Sequence, residues 1–403
     1  MTAPATGRWR ALALICAGVI GAMACWFSTT AIGPDLVRVW QLSPAQAGWL
    51  TNAVQIGFVL GALASSAVNL PDILPMTRLI TVSALLAAAA NAAVLLQPDF
   101  GGLLLARLVT GVALAGVYPP ALKLMATWFV TGRGLAMGLL VGALTLGSAM
   151  PHLLRAIGGG LDWRIVVAGA SIGTLGSAAI FALAVAEGPH GFARATFDPH
   201  QTLRVLRDRP LRLATLGYLG HMWELYAMWA WFLTFALAAG QVGALPVGPS
   251  ALTFLAIASG VFGCALGGWL SDRVGRCWTT AGMMAVSGAC AALIGLAWGG
   301  PGWLLALIAI VWGISIIGDS AQFSAAVTEL SDRHLVGTAL TLQLALGFAL
   351  TVLAIWLMPH VATVFGGWRW TFLALVPGPA VGAWAMLRLR ALPQAAGLAG
   401  GRR

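Results

Sequence analysis

The sequence is short of charge. Only 8% of its 403 residues are charged and only twelve are acidic, where a soluble domain carries roughly 25% charged residues. With 60% hydrophobic residues, no water-soluble core of this size could bury the apolar surface, so an ordinary soluble globular fold is excluded and the lipid bilayer becomes the main solvent. The five cysteines (Cys16, Cys25, Cys264, Cys277 and Cys290) show no CxxC or Cys/His spacing, which argues against a zinc or redox site and reads as buried thiols. No His/Asp cluster of metal-binding or catalytic type is present, so neither a metal, a cofactor nor an enzymatic activity is expected. The twelve methionines include no Met-x-x-x-Met or His-x-x-x-Met spacing within a span, which ranks copper import low. The net charge of +10 could suggest nucleic acid. The basic residues, however, punctuate apolar runs and form no patch with interleaved aromatics, so no nucleic-acid partner is expected.

What the chain does have is apolar length. Runs suited to crossing a bilayer fall at about 10–32, 45–69, 77–97, 100–130, 134–157, 164–186, 211–238, 248–270, 278–298, 302–330, 336–361 and 368–390, since a span needs about 20 apolar residues. The expected fold is therefore all-α and integral to the membrane, with twelve helices. Arg8 and Arg10 precede the first run, which exceeds a signal-peptide core and is read as a retained span. The longest polar stretch, Glu187 to Pro210, divides two sixes: an N-terminal half over 1–187, a cytoplasmic loop over 188–210 and a C-terminal half over 211–403. With the N-terminus inside, seventeen of the 22 basic residues fall at cytoplasmic segments or helix ends. Arg38, Arg107, Arg155, Arg164 and Arg369 are the five that do not. This bias places both termini in the cytoplasm of a bacterial inner membrane.

The halves echo each other. Pro151-His152 and Trp163-Arg164 recur as Pro359-His360 and Trp368-Arg369, and Gly61-Ala62-Leu63 recurs as Cys264-Ala265-Leu266, at displacements of about 205 residues. Repeats of this kind place a solute site near the bilayer midplane.

After the eighth run the chain reads Gly268-Trp269-Leu270-Ser271-Asp272-Arg273-Val274-Gly275-Arg276. This pattern resembles the loop signature of the major facilitator superfamily, in which glycines permit a tight turn and a carboxylate such as Asp272 can cap a helix or pair with an arginine. The matching stretch of the first half, Ser65 to Ile73, has Asn69 where Asp272 stands and lacks the arginines. Arg107, Gly111, Pro119, Trp128-Phe129, Arg133-Gly134 and Gly138 follow the superfamily's fourth-helix pattern. The antiporter pattern of the fifth helix is broken at Ala149-Met150-Pro151-His152, which favours symport over export. The resemblance implies a secondary transporter of two pseudo-symmetric six-helix halves, acting as a monomer in the lipid bilayer on a small solute, with protons as a coupling partner; the positive charge of Arg107 favours a small organic anion as that solute. Proton-coupled drug or metabolite export is the alternative, and a transporter-like receptor or sensor the remote one.

Two acidic residues stand inside apolar runs. Glu224 lies roughly 20 Å along its helix from Leu211, and Asp319 roughly 24 Å from Trp303, at about 1.5 Å per residue. A carboxylate there is costly and usually functional. His221 shares a face with Glu224 at i, i+3. In the superfamily the first, fourth, seventh and tenth helices line the cavity, so the resemblance implies that both acids stand beside it. Glu224, His221, Asp319 and Arg107 are thus the proton-coupling candidates. Tyr118, Tyr218, Met228, Gln322, Gln55 and Gln343 are the candidates for the substrate cavity, with Thr29 and Thr30 as further polar positions. Gly268, Asp272, Arg273, Gly275 and Arg276 form the gating-loop motif. The competing reading of the acidic clusters is a structural hydrogen-bond network between helices.

Overall fold

In a computed structural model the protein is described over residues 6–97, 99–129, 132–159, 162–190, 201–332 and 335–402, and every regular element among them is helical. Contacts divide the chain into two compact units, Met1–Arg194 and Ala195–Arg403. Residues 191–200 of the central loop expected over 188–210, Arg194 among them, lie outside the described residues, as do Arg333 and Arg403. The part that is described carries one helical turn, Thr202–Arg207, followed by Asp208.

The first unit contains α1 (Arg8–Met23), α2 (Ser28–Ala31), α3 (Gly33–Trp40), α4 (Pro44–Ala67), α5 (Met76–Leu96), α6 (Phe100–Trp128), α7 (Arg133–Ile157) and α8 (Arg164–Leu183). The second contains α9 (Arg209–Gly240), α10 (Pro249–Val274), α11 (Arg276–Ala297), α12 (Gly302–Leu330), α13 (Val336–Val364) and α14 (Thr371–Arg390). Eleven of these helices, α4 to α14, are long and apolar enough to cross a membrane. The expected first span over 10–32 is not continuous. α1 has 16 residues, about 24 Å at 1.5 Å per residue, short of a hydrocarbon core of about 30 Å. The chain then turns through 24–27 before α2 begins. Sequence periodicity could not register this break, because the residues on either side of it remain apolar.

Local chemistry sets several other boundaries. Ser43 and Gln46 form a reciprocal cap at the start of α4, with Pro44 at its first position, so exposed amides at the helix end find acceptors. Asp208 accepts from the amide of Leu211 at 3.0 Å, which starts α9 two residues earlier than the hydropathy suggests. α6 is interrupted at Gly116 and Val117, where Pro119 and Pro120 begin a new helical stretch. α12 is interrupted at Asp319. Between α10 and α11 the whole turn is Gly275, at φ 95°, a left-handed conformation that suits only glycine.

Close packing follows the same plan in each unit. A methyl at Gly57 of α4 would overlap the carbonyl of Leu108 on α6, and one at Gly111 would overlap the carbonyl of Val54. In the second unit, Gly263 and Gly267 of α10 meet the carbonyls of Ile314 and Gly318 on α12 in the same way. Glycines spaced four apart let backbones touch, which is how helices associate where hydrophobicity no longer drives them.

The second unit is also closed by its own tail. Residues Pro393–Gly401 begin as a short 3-10 turn and leave helical geometry at Leu398; they pack on the end of α12, with Ala395 and Leu398 fully buried. The amide of Ala399 donates to Glu329 at 3.0 Å, and the guanidinium of Arg402 donates to the carbonyl of Asp272. Leu398→Ala should therefore cost about 2 kcal/mol or more, read as a lowered melting temperature of the purified protein. An unchanged melting temperature would show that the tail does not contribute to this unit.

Candidate functional site

In the first unit, buried polarity converges on Arg107 of α6, whose side chain is fully buried. Its Nη1 donates to Asn91 Oδ1 at 2.8 Å and to Ser28 Oγ at 3.1 Å. Its Nη2 donates to the carbonyls of Cys25 at 2.9 Å and Trp26 at 2.5 Å. Those two carbonyls belong to the break that follows α1, where backbone acceptors have lost their helical partners. The break and the arginine therefore satisfy each other, and the cation sits where a helix C-terminus favours it. Asn91, on α5, passes the network on through its Nδ2 to Val167 O at 3.2 Å and Ser171 Oγ at 2.9 Å on α8. No carboxylate pairs with Arg107 among the described residues. The acid nearer the end of this unit, Asp35, pairs with Arg155 at 2.5 Å and Arg38 at 3.3 Å.

In the second unit the two buried acids have separate surroundings. Glu224 of α9 accepts from Trp312 Nε1 at 2.7 Å and from Ser287 Oγ at 2.8 Å, one donor for each carboxylate oxygen. Trp312 is held for this task by rings: Phe372 meets it edge-on at 5.0 Å, and Phe232 at 6.5 Å. Asp319, in the interruption of α12, approaches His221 Nδ1 at 2.8 Å. That approach is off the line of a directed hydrogen bond, since Oδ1 of Asp319 has no aligned donor and Nε2 of His221 has no partner. Tyr218 and Phe323 pack on the imidazole with centroids 6.1 and 5.5 Å away. All three ionisable groups are at most 2% exposed.

The loop motif forms a third network. Arg276 binds Glu329 with two contacts of 2.5 and 2.7 Å, and its Nη1 donates to Gln322 at 2.7 Å and Ser271 at 3.2 Å. Arg273 stacks on Trp269 at 4.0 Å. The side chain of Asp272, for which capping or an arginine pair was expected, makes no ion pair among the described residues. The carboxylate that pairs with the motif arginine is Glu329.

The sequence candidates are thus distributed as follows. His221 and Asp319 stand side by side, while Glu224 bonds to Trp312 and Ser287 and not to His221. Gln322, expected at a substrate cavity, lies in the Arg276 network. Tyr218 packs on His221, and Met228 is fully buried on α9. Gln55 and Gln343 are fully buried, with both amide atoms of each unpartnered. Tyr118 opens the second half of α6. The residues missed by sequence reasoning are Trp312, Ser287, Asn91 and Glu329. Asn91 had a signal, since it is an amide within the apolar run from Leu79 to Leu96. Trp312 had none, because one indole among 18 tryptophans carries no mark of its partner.

The helical membrane architecture and its buried charge define the class, and comparison with known proteins places the chain within it. The Major Facilitator Superfamily model matches residues 14–350, and the chain belongs to that family of membrane transporters. A niacin transporter, NiaP of Acinetobacter baylyi, is 32% identical over 127 residues, covering 29% of this chain and 28% of that relative. Among solved structures, a bacterial homologue of the human lysosomal transporter Spinster, inward-facing and unoccupied, superposes with a TM-score of 0.70 at 16% identity. It covers 97% of this chain and 100% of the other. A variant of the nucleoside transporter NupG reaches 0.71 at 14% identity, covering 94% and 99%. At these identities the structural likeness speaks to the fold.

If Arg107 holds the break after α1, Arg107→Ala should lower stability by about 3 kcal/mol or more, because several buried acceptors lose their donors together. Arg107→Lys should recover only part of this, since an ammonium cannot reproduce the fork. Thermal unfolding of the three proteins in one detergent decides it, and equal melting temperatures would refute the role.

Proposed function

We propose that the protein is a proton-coupled symporter of a small organic anion, working by alternating access in the bacterial inner membrane. The observation that carries this reading is Glu224. It is a carboxylate in the middle of a 32-residue helix, with two neutral donors and no cation paired to it among the described residues. A charged group so placed is costly in hydrocarbon, and binding a proton removes that cost. Protonation therefore changes which conformations are accessible, and this is the requirement for coupling. His221 and Asp319 form the second exchangeable group on the same unit. The anionic substrate is supported by the positive charge of Arg107 and by the partial likeness to a niacin transporter, whose named solute is an aromatic carboxylic acid.

In this reading α1, α2 and α3 together make one broken crossing, which completes twelve spans. The six-helix halves are 1–187 and 211–403, and both termini lie in the cytoplasm. The monomer is the working unit. Gln343, Met228 and Tyr218 remain cavity candidates of the second half.

The test is uptake of small organic acids into proteoliposomes with and without an inward proton gradient. Wild-type uptake should rise with the gradient. Glu224→Gln, which keeps the acceptor for Trp312 but cannot release a proton, should retain exchange of solute and lose the response to the gradient. Undiminished gradient-driven uptake by this variant would remove Glu224 from the coupling path. Gradient-driven expulsion of cationic aromatics by the wild type would favour the exporter alternative.

A further inference from the structure

The first unit contains buried polar side chains that its own network leaves unused. Thr29 Oγ1, both amide atoms of Gln55 and both ring nitrogens of His152 have no hydrogen-bond partner, although Thr29 is 2% exposed and the other two fully buried. Groups of this kind are few in native proteins and call for an explanation. The break after α1 sets them at one level of the unit. α2 is clamped from two sides: Thr30 meets Thr51 of α4 at 2.7 Å, and the carbonyl of Ala31 accepts from Arg155 of α7 at 2.6 Å. Gln55 lies one turn along α4 from Thr51, and His152 lies about one turn back along α7 from Arg155. Both displacements run toward the same level, that of residues 25–29, where Arg107 is bound.

The chemistry at that level is one-sided. The spans α1 and α4 to α8 contain no Asp or Glu, so the charge of Arg107 is not neutralised by a carboxylate. Its Nε is also unpartnered. Gln55, Thr29 and His152 each supply a donor, and the two oxygens of a carboxylate accept several. Trp26 and Phe58, whose rings pack 4.8 Å apart, border the same level, Phe58 being three residues from Gln55. The repeat gives an internal control. His360, the counterpart of His152 in the second unit, is exposed and its Nδ1 lies 3.0 Å from the carbonyl of Trp356. The Pro-His pair does not by itself require a buried, unpartnered imidazole.

We infer that Thr29, Gln55 and His152 form a carboxylate-binding subsite in the first unit, set beside the unneutralised charge of Arg107 and bordered by the Trp26–Phe58 pair. The ligand class is a small monocarboxylate with a flat apolar or aromatic body. This rests on the organic-anion reading above and deepens it. The solute's charge is taken by the first unit, whose spans α1 and α4 to α8 carry no Asp or Glu, while the proton is taken by the unit that holds Glu224 and Asp319.

The test is equilibrium binding to the purified full chain by calorimetry, without any gradient, using nicotinate and benzoate against their neutral amides. The wild type should bind the acids and not the amides. Gln55→Met and His152→Leu should each weaken acid binding about tenfold or more, as expected for lost hydrogen bonds to a charged group. Their unliganded melting temperatures should hold or rise, because an unpartnered buried polar group has been removed. Wild-type affinity in both variants overturns the subsite and leaves the organic-anion reading standing. Lowered melting temperatures in both overturn it in favour of a structural role. Equal binding of acids and amides overturns the carboxylate assignment. A wild type that binds neither acid removes the organic-anion reading as well.

Discussion

In hydrocarbon, a carbonyl released from a helix has no water to turn to, and a buried guanidinium has none either. Each costs several kcal/mol if left alone. The break after α1 and the side chain of Arg107 remove both costs at once. The cation is tied to the carbonyls of Cys25 and Trp26, to Ser28 and to Asn91. Much of the first unit depends on this exchange. It fixes where α1 ends, aims α2 between α4 and α7, and joins α5, α6 and α8 through a few polar atoms. A salt bridge would have met the need of the arginine but not that of the backbone.

The second unit meets the same constraint with a different sign. Its buried charges are carboxylates: Glu224 takes its donors from an indole and a hydroxyl, and Asp319 stands beside an imidazole. The aromatic packing around Trp312 is what makes the arrangement specific. Phe232 and Phe372 fix the ring, and the ring fixes which oxygen of Glu224 is bonded. The glycine contacts between α4 and α6, and between α10 and α12, are common to both units. The units therefore keep one backbone plan and diverge in the polar groups placed on it.

Much of this architecture was legible in the sequence because hydropathy reports burial in lipid directly. The long helices α4 to α14 fall close to the apolar runs. The buried acids were legible as well, since charge inside an apolar run is conspicuous. What escaped was pairing. Nothing in the spacing of residues marks Trp312 as the partner of Glu224, or Glu329 rather than Asp272 as the partner of Arg276, because those contacts join helices distant in sequence. The break at 24–27 escaped for a related reason. Its carbonyls are bound by Arg107, more than 80 positions away, and the local sequence through the break stays apolar.

Pairing also separates ionisable groups that stabilise the fold from those free to change state. Arg276 with Glu329, and Arg155 with Asp35, are bound at 2.5 Å to opposite charges, and moving a proton at either would break a favourable contact. Arg107 has fixed dipoles around it, and an arginine does not release its proton under ordinary conditions. Glu224 differs from all of these. Its donors are neutral, so a proton arriving there neutralises a charge in a dry environment without breaking an ion pair. That sets it apart from the arginine-paired carboxylates Asp35 and Glu329, whose protonation would remove an ion pair. The helices around it, packed through glycine and aromatic faces, are then the elements on which such a change of charge would act.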